Sequence, residues 1–263
     1  MRPCGIITLL TDFGMADGFV GTMKGVILSI YPQAHIVDLT HQIPPQDISA
    51  AAFVLHCSHR YFPAGTIHVA VVDPGVGSSR RLIAVASEKY LFLAPDNQIL
   101  AYIFHESETL KVIEVLNNQF FLPNVSRTFH GRDIFAAVAA HLAAGVPIKR
   151  LGPEIHDYDR GKIDQPRKTE NGIQGKIIHI DQFGNLISNI PESWIKGGIS
   201  AIRFGQMVLN RISDAYADVG SGEPLAIFGS SGYLEIAIRD GNASRVFGAG
   251  RGAEIRIDFE TLS

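Results

Sequence analysis

The chain has 263 residues, 46% of them apolar and only 19% charged, a balance that excludes a disordered chain and provides for a large core. Its formal charge of −3 removes the electrostatic case for nucleic acid or an anionic membrane, leaving a small soluble substrate as the default. Two cysteines, Cys4 and Cys57, are too few for a disulfide framework or a thiolate zinc site, and neither a leader-like start nor a membrane-length apolar run is visible, so a cytoplasmic location is expected.

An apolar run over 5–10 predicts a first strand, and Phe19, Val20, Met23, Val26, Ile27 and Ile30 recur behind it at helical spacing. Residues 35–39 predict a second strand, followed by a helix with Asp47 as N-cap and Pro63 as its stop. Strands are expected at 67–72, 82–87 and 90–94, the last two joined at Glu88-Lys89, and another at 110–115. Residues 133–144 predict an alanine-rich helix ended by Gly145 and Pro147. Strands alternating with helices, several of them apolar on both faces, predict an α/β domain over 1–160 with a mostly parallel central sheet flanked by helices. The polar, turn-rich stretch 161–172 reads as a linker. Over 173–263, short strand candidates punctuated by F-G-N, G-S-S-G and G-A-G-R-G predict a smaller all-β, barrel-like domain.

The segment T-D-F-G-M-A-D-G over 11–18 sets Asp12 and Asp17 between the first strand and its helix, at the sheet edge where open α/β folds bind ligands. Asp17 has an equally ordinary reading as a helix cap, whereas Asp12, directly behind an apolar strand, suits a ribose diol or a metal. V-V-D-P-G-V-G-S-S-R-R over 71–81 sets Asp73 at a second strand end, ahead of Arg80 and Arg81. It lacks the ending of a phosphate loop, and alone it is a Pro-Gly turn with exposed arginines. His130, in T-F-H-G-R-D, stands at the mouth of the alanine-rich helix beside Gly131, where a ligand can approach the backbone. H-C-S-H over 56–59 offers half a metal site, but no second pair accompanies it and a half-buried helix face is expected. D-Q-F-G-N over 181–185 gathers a carboxylate, an aromatic ring and a carboxamide, and G-S-S-G-Y over 229–233 offers hydroxyls to a carboxylate; either alone is an ordinary hairpin turn.

Together with A-P-D-N over 94–97, these motifs resemble, along essentially the whole chain, the S-adenosyl-L-methionine (SAM) hydroxide adenosyltransferases, relatives of the fluorinating and chlorinating enzymes. The resemblance implies an N-terminal α/β domain, a C-terminal β barrel and a homotrimer whose sites lie between subunits. It also implies hydrolysis of SAM to adenosine and L-methionine, with SAM as the substrate, no cofactor and no metal. Asp73, Arg80 and His130 match the residues that hold and activate water, with His130 the natural proton acceptor. Asp12 matches the ribose contact, Asp17 and Asp181 the ammonium contacts, Ser230 and Ser231 the carboxylate contacts, and Phe183 and Asn185 the adenine contacts. Halogenating relatives have Tyr at the position of Asp73; the fluorinating branch has Ser at that of Gly131 and an extra loop where this chain has Glu88-Lys89. These differences imply water rather than halide. Phe19 replaces a hydroxyl of the fluorinating branch, and Gln46 a Trp. Two other readings fit the residues: a non-catalytic SAM or adenosine binding protein, and a metal-dependent nucleotide hydrolase drawing on Asp12, Asp73 and His56.

Overall fold

The computed structural model describes residues 2–107 and 109–260, which fall into two compact units, the first ending at Ile163 and the second beginning at Asp164. The first unit contains β1 (Ile6–Thr11), α1 (Phe19–Ile30), β2 (His35–Thr40), α2 (Ile48–His59), β3 (Ile67–Val71), β4 (Leu82–Ala86), β5 (Leu91–Pro95), α3 (Ala101–Glu106), β6 (Lys111–Glu114) and α4 (Ala137–Ala143). Its strands are ordered β2-β1-β3-β5-β4-β6. The first four run parallel, while β4 is antiparallel to both its neighbours. The far edge is therefore mixed, because Ser87 N–H bonds Tyr90 O at 3.0 Å and turns β4 straight into β5, too short a connection for a parallel crossover.

Strands β3 and β5 are buried along their whole length, as expected where helices cover both faces. Ile7 and Leu9 pack with α1 and α4 on one face, and Leu10, Ala70 and Val72 pack with α2 and α3 on the other. Each fully buried Leu or Ile contributes roughly 1.5–3 kcal/mol. Asp47 caps α2 by accepting Ala50 N–H at 3.0 Å. Helix α1 has Gly18 at its N-cap and no side-chain cap, so the exposed Asp17 does not serve that role. From β1 the chain crosses to β2 on one side and returns to β3 on the other. The carboxyl ends of β1 and β3 are thus the switch point at which an open sheet accepts a ligand. Ahead of α4, where the sequence predicts regular α-helix, Gly131–Ala136 forms a π-helical turn with His130 at its start. Wide turns of this kind recur at functional sites.

The second unit contains β7 (Arg167–Thr169), β8 (Gly172–Ile180), β9 (Leu186–Pro191), β10 (Ile199–Phe204), β11 (Met207–Leu209), β12 (Pro224–Phe228), β13 (Tyr233–Ile238), α5 (Ala243–Phe247) and β14 (Glu254–Phe259). The antiparallel path β11-β10-β14-β8-β9-β13-β12 makes a nearly closed, barrel-like sheet, with β7 beside β8. A register shift between Ile177 and His179 lets the first half of β8 pair with β14 and its second half with β9, which bends the sheet around a core of Ile173, Leu186, Leu234, Ile236 and Ile257. Strand β7 lies inside the stretch that reads as a linker. Arg167 and Lys168 are exposed on it, and a polar edge strand carries no apolar alternation to reveal it.

Candidate active site

Thr11 pairs with Val71 across β1 and β3, which brings the next residue, Asp12, beside the segment that carries Asp73. Both acids line a cavity of ≈ 410 Å³ together with Gln46, Phe129, His130 and Gly131. The Asn97 side chain donates to Val72 O at 2.9 Å and so braces the chain just before Asp73. Its neighbour Asp96 accepts from Arg81 Nε at 3.0 Å. The two adjacent arginines are thereby divided, Arg81 turning to Asp96 and Arg80 to Asp73 and His130. Gly77, at φ +79°, lies so close to Arg127 O that a Cβ would stand 2.4 Å from it, so only glycine lets the loop pass there.

Arg80 Nε donates to both oxygens of Asp73, at 2.8 and 2.9 Å. Its Nη2 donates to Asp73 Oδ2 and, at 2.8 Å, meets His130 Nδ1. The pair is buried, with side chains 5% exposed for Asp73 and 10% for Arg80. A guanidinium has only donors, so His130 Nδ1 must accept, and the proton of the neutral ring then sits on Nε2. Burial, reinforced by the Arg80 charge, holds the imidazole below its ordinary value of 6.5, which keeps it in this neutral form. Protonating His130 would set two donors against each other. Activity is therefore expected to fall only along an acid limb lying below 6.5, measured as kcat/KM against pH; an acid limb centred at or above 6.5 contradicts this.

Asp12 Oδ2 accepts Gln46 N–H at 2.8 Å. Gln46 has φ 66°, a left-handed conformation that costs a non-glycine residue about 1–2 kcal/mol and that the Asp12 bond offsets. Thr11 Oγ1 accepts Phe13 N–H at 3.2 Å and lies 2.8 Å from His41 Nδ1, while His41 O accepts Gly14 N–H at 2.7 Å. On its other side His41 Nε2 stands 3.0 Å from Asp38 Oδ1, and this contact helps to hold the Asp38 carboxyl below its ordinary value. The loops 11–14 and 41–46 are thus clasped at both ends, with Asp12 inside the clasp. Neither Thr11 nor His41 is singled out by the sequence, where each is one polar residue beside a strand. Asp17 is exposed and does not line the cavity.

In the second unit, Asp181 Oδ1 accepts the amides of Phe183 and Asn185 at 2.9 and 2.8 Å, and Oδ2 accepts Asn185 Nδ2 at 2.9 Å. This acid therefore shapes its own turn. The ring of Phe183 is left 75% exposed, whereas Asn185 is buried. The register of β9 with β13 sets this turn and the one carrying Ser230 and Ser231 at opposite ends of that pairing. Between them lies Glu235, 4% exposed, which accepts from the Tyr216 hydroxyl. Burial and the nearby Asp181 charge raise the Glu235 carboxyl, and burial with Glu235 raises the Tyr216 phenol. An acid inside the apolar strand Y-L-E-I-A-I was the available sequence signal for this pair. In H-C-S-H, His59 Nδ1 lies 3.1 Å from the carbonyls of Leu55 and His56, and burial pushes the Cys57 thiol up to about 12. Among the described residues no three His, Cys, Asp or Glu side chains gather as metal ligands.

The family model for the SAM hydroxide adenosyltransferase N-terminal domain matches residues 7–152, and that for its C-terminal domain matches residues 175–256. The chain belongs to the SAM hydroxide adenosyltransferase family. It is 35% identical to the (R)-S-adenosyl-L-methionine hydrolase of Salinispora tropica, over 98% of this chain and 99% of the relative. The enzyme of the same name from Thermus thermophilus is 34% identical over 98% of this chain and 100% of its own length. A crystal structure of an uncharacterized conserved protein from Thermotoga maritima is similar with a TM-score of 0.90 and 37% identity, covering 96% of this chain and 99% of that one. Relatives named fluorinase align at 25–29% identity. In this family member the β4–β5 connection is the short turn at Glu88-Lys89, without an inserted loop.

Proposed function

We propose that the protein hydrolyses SAM to adenosine and L-methionine by in-line attack of water on the ribose 5′ carbon. The observation that carries this reading is the Asp73–Arg80–His130 network at the switch point of the sheet, in a chain that aligns over nearly its full length with enzymes named SAM hydrolase. The new bond joins the water oxygen to the 5′ carbon. The carbon–sulfur bond breaks with its electron pair going to sulfur, and one proton is released. Methionine departs as a neutral thioether, so no general acid is needed.

His130 Nε2–H, which also faces the Ser126 carbonyl, donates to the water oxygen, whose lone pair is aimed at the carbon. Asp73 Oδ1 accepts a single hydrogen bond, from Arg80 Nε, and takes the proton of the water, while Arg80 matches its charge. This reverses the role the sequence suggests for His130, which is a donor while Arg80 holds Nδ1. Positioning alone can supply effective molarities on the order of 10⁵ M. Charge is also more dispersed in the transition state than in a hydroxide and sulfonium pair, which favours a dry, preorganised site. With Asp73 neutralised by Arg80, the network presents no net positive charge to a halide. Asp12 receives the ribose diol on Oδ1, Asn185 offers its remaining carbonyl oxygen to the adenine amino group, and the exposed Phe183 ring stacks on the base. Ser230 and Ser231 hold the carboxylate, and Asp17 holds the ammonium together with Asp181 Oδ2, which accepts one bond from Asn185 and has a lone pair left. A cytoplasmic homotrimer with each site completed between subunits belongs to the same reading, supported by the exposure of Phe183. No described helix is long and apolar enough to cross a membrane.

The test incubates pure protein with SAM, with and without chelator. Adenosine and methionine are expected in equal amounts in both arms. Absence of adenosine sinks the hydrolase reading, and activity lost only in chelator moves it to a metal-dependent reaction. Thr11→Val, which keeps the shape but leaves His41 Nδ1 and Phe13 N–H without their partner, is expected to raise KM for SAM about tenfold with turnover changed less than about threefold. Thr11→Ser should behave as wild type, and equal kinetics for the two variants would separate the clasp from substrate binding.

A further inference from the structure

We propose that Phe13, Phe19 and Phe129 form an aromatic receptor for the sulfonium charge of the substrate, and that Phe19 sets the preference for a sulfonium over a thioether. The proposal rests on the SAM-hydrolase reading and deepens it. All three rings line the cavity that holds Asp12, Asp73 and His130. They meet edge to face, with centroids 6.0 Å apart for Phe13 and Phe19, 5.7 Å for Phe13 and Phe129, and 5.3 Å for Phe19 and Phe129. Each ring thereby fixes the other two. Phe13 can lie against the start of the π-helical turn because Gly131 has no side chain; a Cβ there would stand 3.2 Å from Phe13 Cε2.

Phe19 is the first residue of α1 and remains 46% exposed, so packing alone gives little reason for a ring at this position. The charges around the cavity do give one. Asp73 is neutralised by Arg80, and Asp12 is tied to Gln46 N–H, so the water-holding end offers the sulfonium little unshared negative charge. Ring faces are the other means of stabilising a weakly hydrated cation. Phe129 already interacts with one, the Arg132 guanidinium, 5.0 Å from its centroid. In-line attack fixes the distance as well. With water about 3 Å from the 5′ carbon and sulfur on the opposite side, the sulfur stands roughly 5 Å from the water oxygen, within reach of the same cavity walls.

The positive charge leaves sulfur as the bond breaks, so this attraction is strongest in the bound substrate and fades in the transition state. It therefore governs binding more than turnover. Phe19→Leu is expected to raise KM for SAM about fivefold with kcat unchanged or slightly higher, whereas Phe19→Tyr should retain wild-type KM.

The deciding measurement is calorimetric binding of two uncleaved ligands, S-adenosylhomocysteine, a neutral thioether, and sinefungin, which bears an ammonium group near the sulfonium position. Phe19→Leu is expected to weaken sinefungin about fivefold and the thioether less than about twofold. Phe129→Leu, on a different element, should shift the ratio in the same direction. Equal weakening of both ligands, or of neither, overturns the proposal. Wild-type protein that forms no adenosine would instead defeat the hydrolase reading, and the ligand ratio can be measured independently of that outcome.

Discussion

Replacing Arg80 by methionine is expected to lower turnover at saturating SAM by about 10²–10³-fold, the loss typical when a preorganised donor is taken from a reacting centre. One guanidinium performs two tasks here. It fixes His130 Nδ1 as an acceptor at 2.8 Å, which sets the proton on Nε2, and it neutralises the buried Asp73 carboxylate. Without it the imidazole can take either tautomer and Asp73 is buried alone, so stability should also fall, by about 3–5 kcal/mol. Adding Asp73→Asn to the methionine variant removes the unpaired charge and should restore much of the melting temperature but none of the turnover. Asp73→Ala and His130→Ala should each lower turnover more than they weaken binding. Wild-type turnover in any of these variants would end the role assigned to that residue.

Acid should unfold the protein partly through His68, inside the sheet on β3. This ring is fully buried, 2.8 Å from Thr8 Oγ1 through Nδ1 and stacked on Phe92 with centroids 5.2 Å apart. Burial, with the nearby His59, pushes its value from 6.5 down to about 3. Between those limits the unfolded chain binds a proton that the folded chain refuses. The His68 contribution is therefore intact above 6.5 and is lost as pH falls, at about 1.4 kcal/mol per pH unit and roughly 5 kcal/mol over the full window. Urea unfolding of wild type and His68→Phe at several pH values measures this. The variant should lose about one proton's worth of pH dependence, and identical slopes would contradict the assignment.

The acids of the cavity were legible in the sequence because acids that directly follow apolar strands are conspicuous, and Asp12 and Asp73 both do. The sequence did not make the partners legible. Nothing in a list of residues says that Arg80 bridges Asp73 and His130, and the placing of the ring proton on His130 Nε2 follows only from that bridge. Asp181 was visible as a carboxylate in a turn, but its Oδ1 is taken by two amides of that turn, which only the folded geometry reveals. Thr11 and His41 form a clasp between loops distant in sequence, and Glu235 meets Tyr216 from outside its own strand. The fold was legible where patterns are strong, as in the buried β3 and β5, and poorly legible in β7, where exposed Arg167 and Lys168 leave no apolar face to detect.

The central claim is that water, held by Asp73, Arg80 and His130, is the nucleophile at the 5′ carbon. Turnover of SAM in ¹⁸O-labelled water, with mass analysis of the products, tests it most directly. The account predicts one labelled oxygen in the adenosine 5′-hydroxyl and none in methionine. Adenosine formed without label would contradict it.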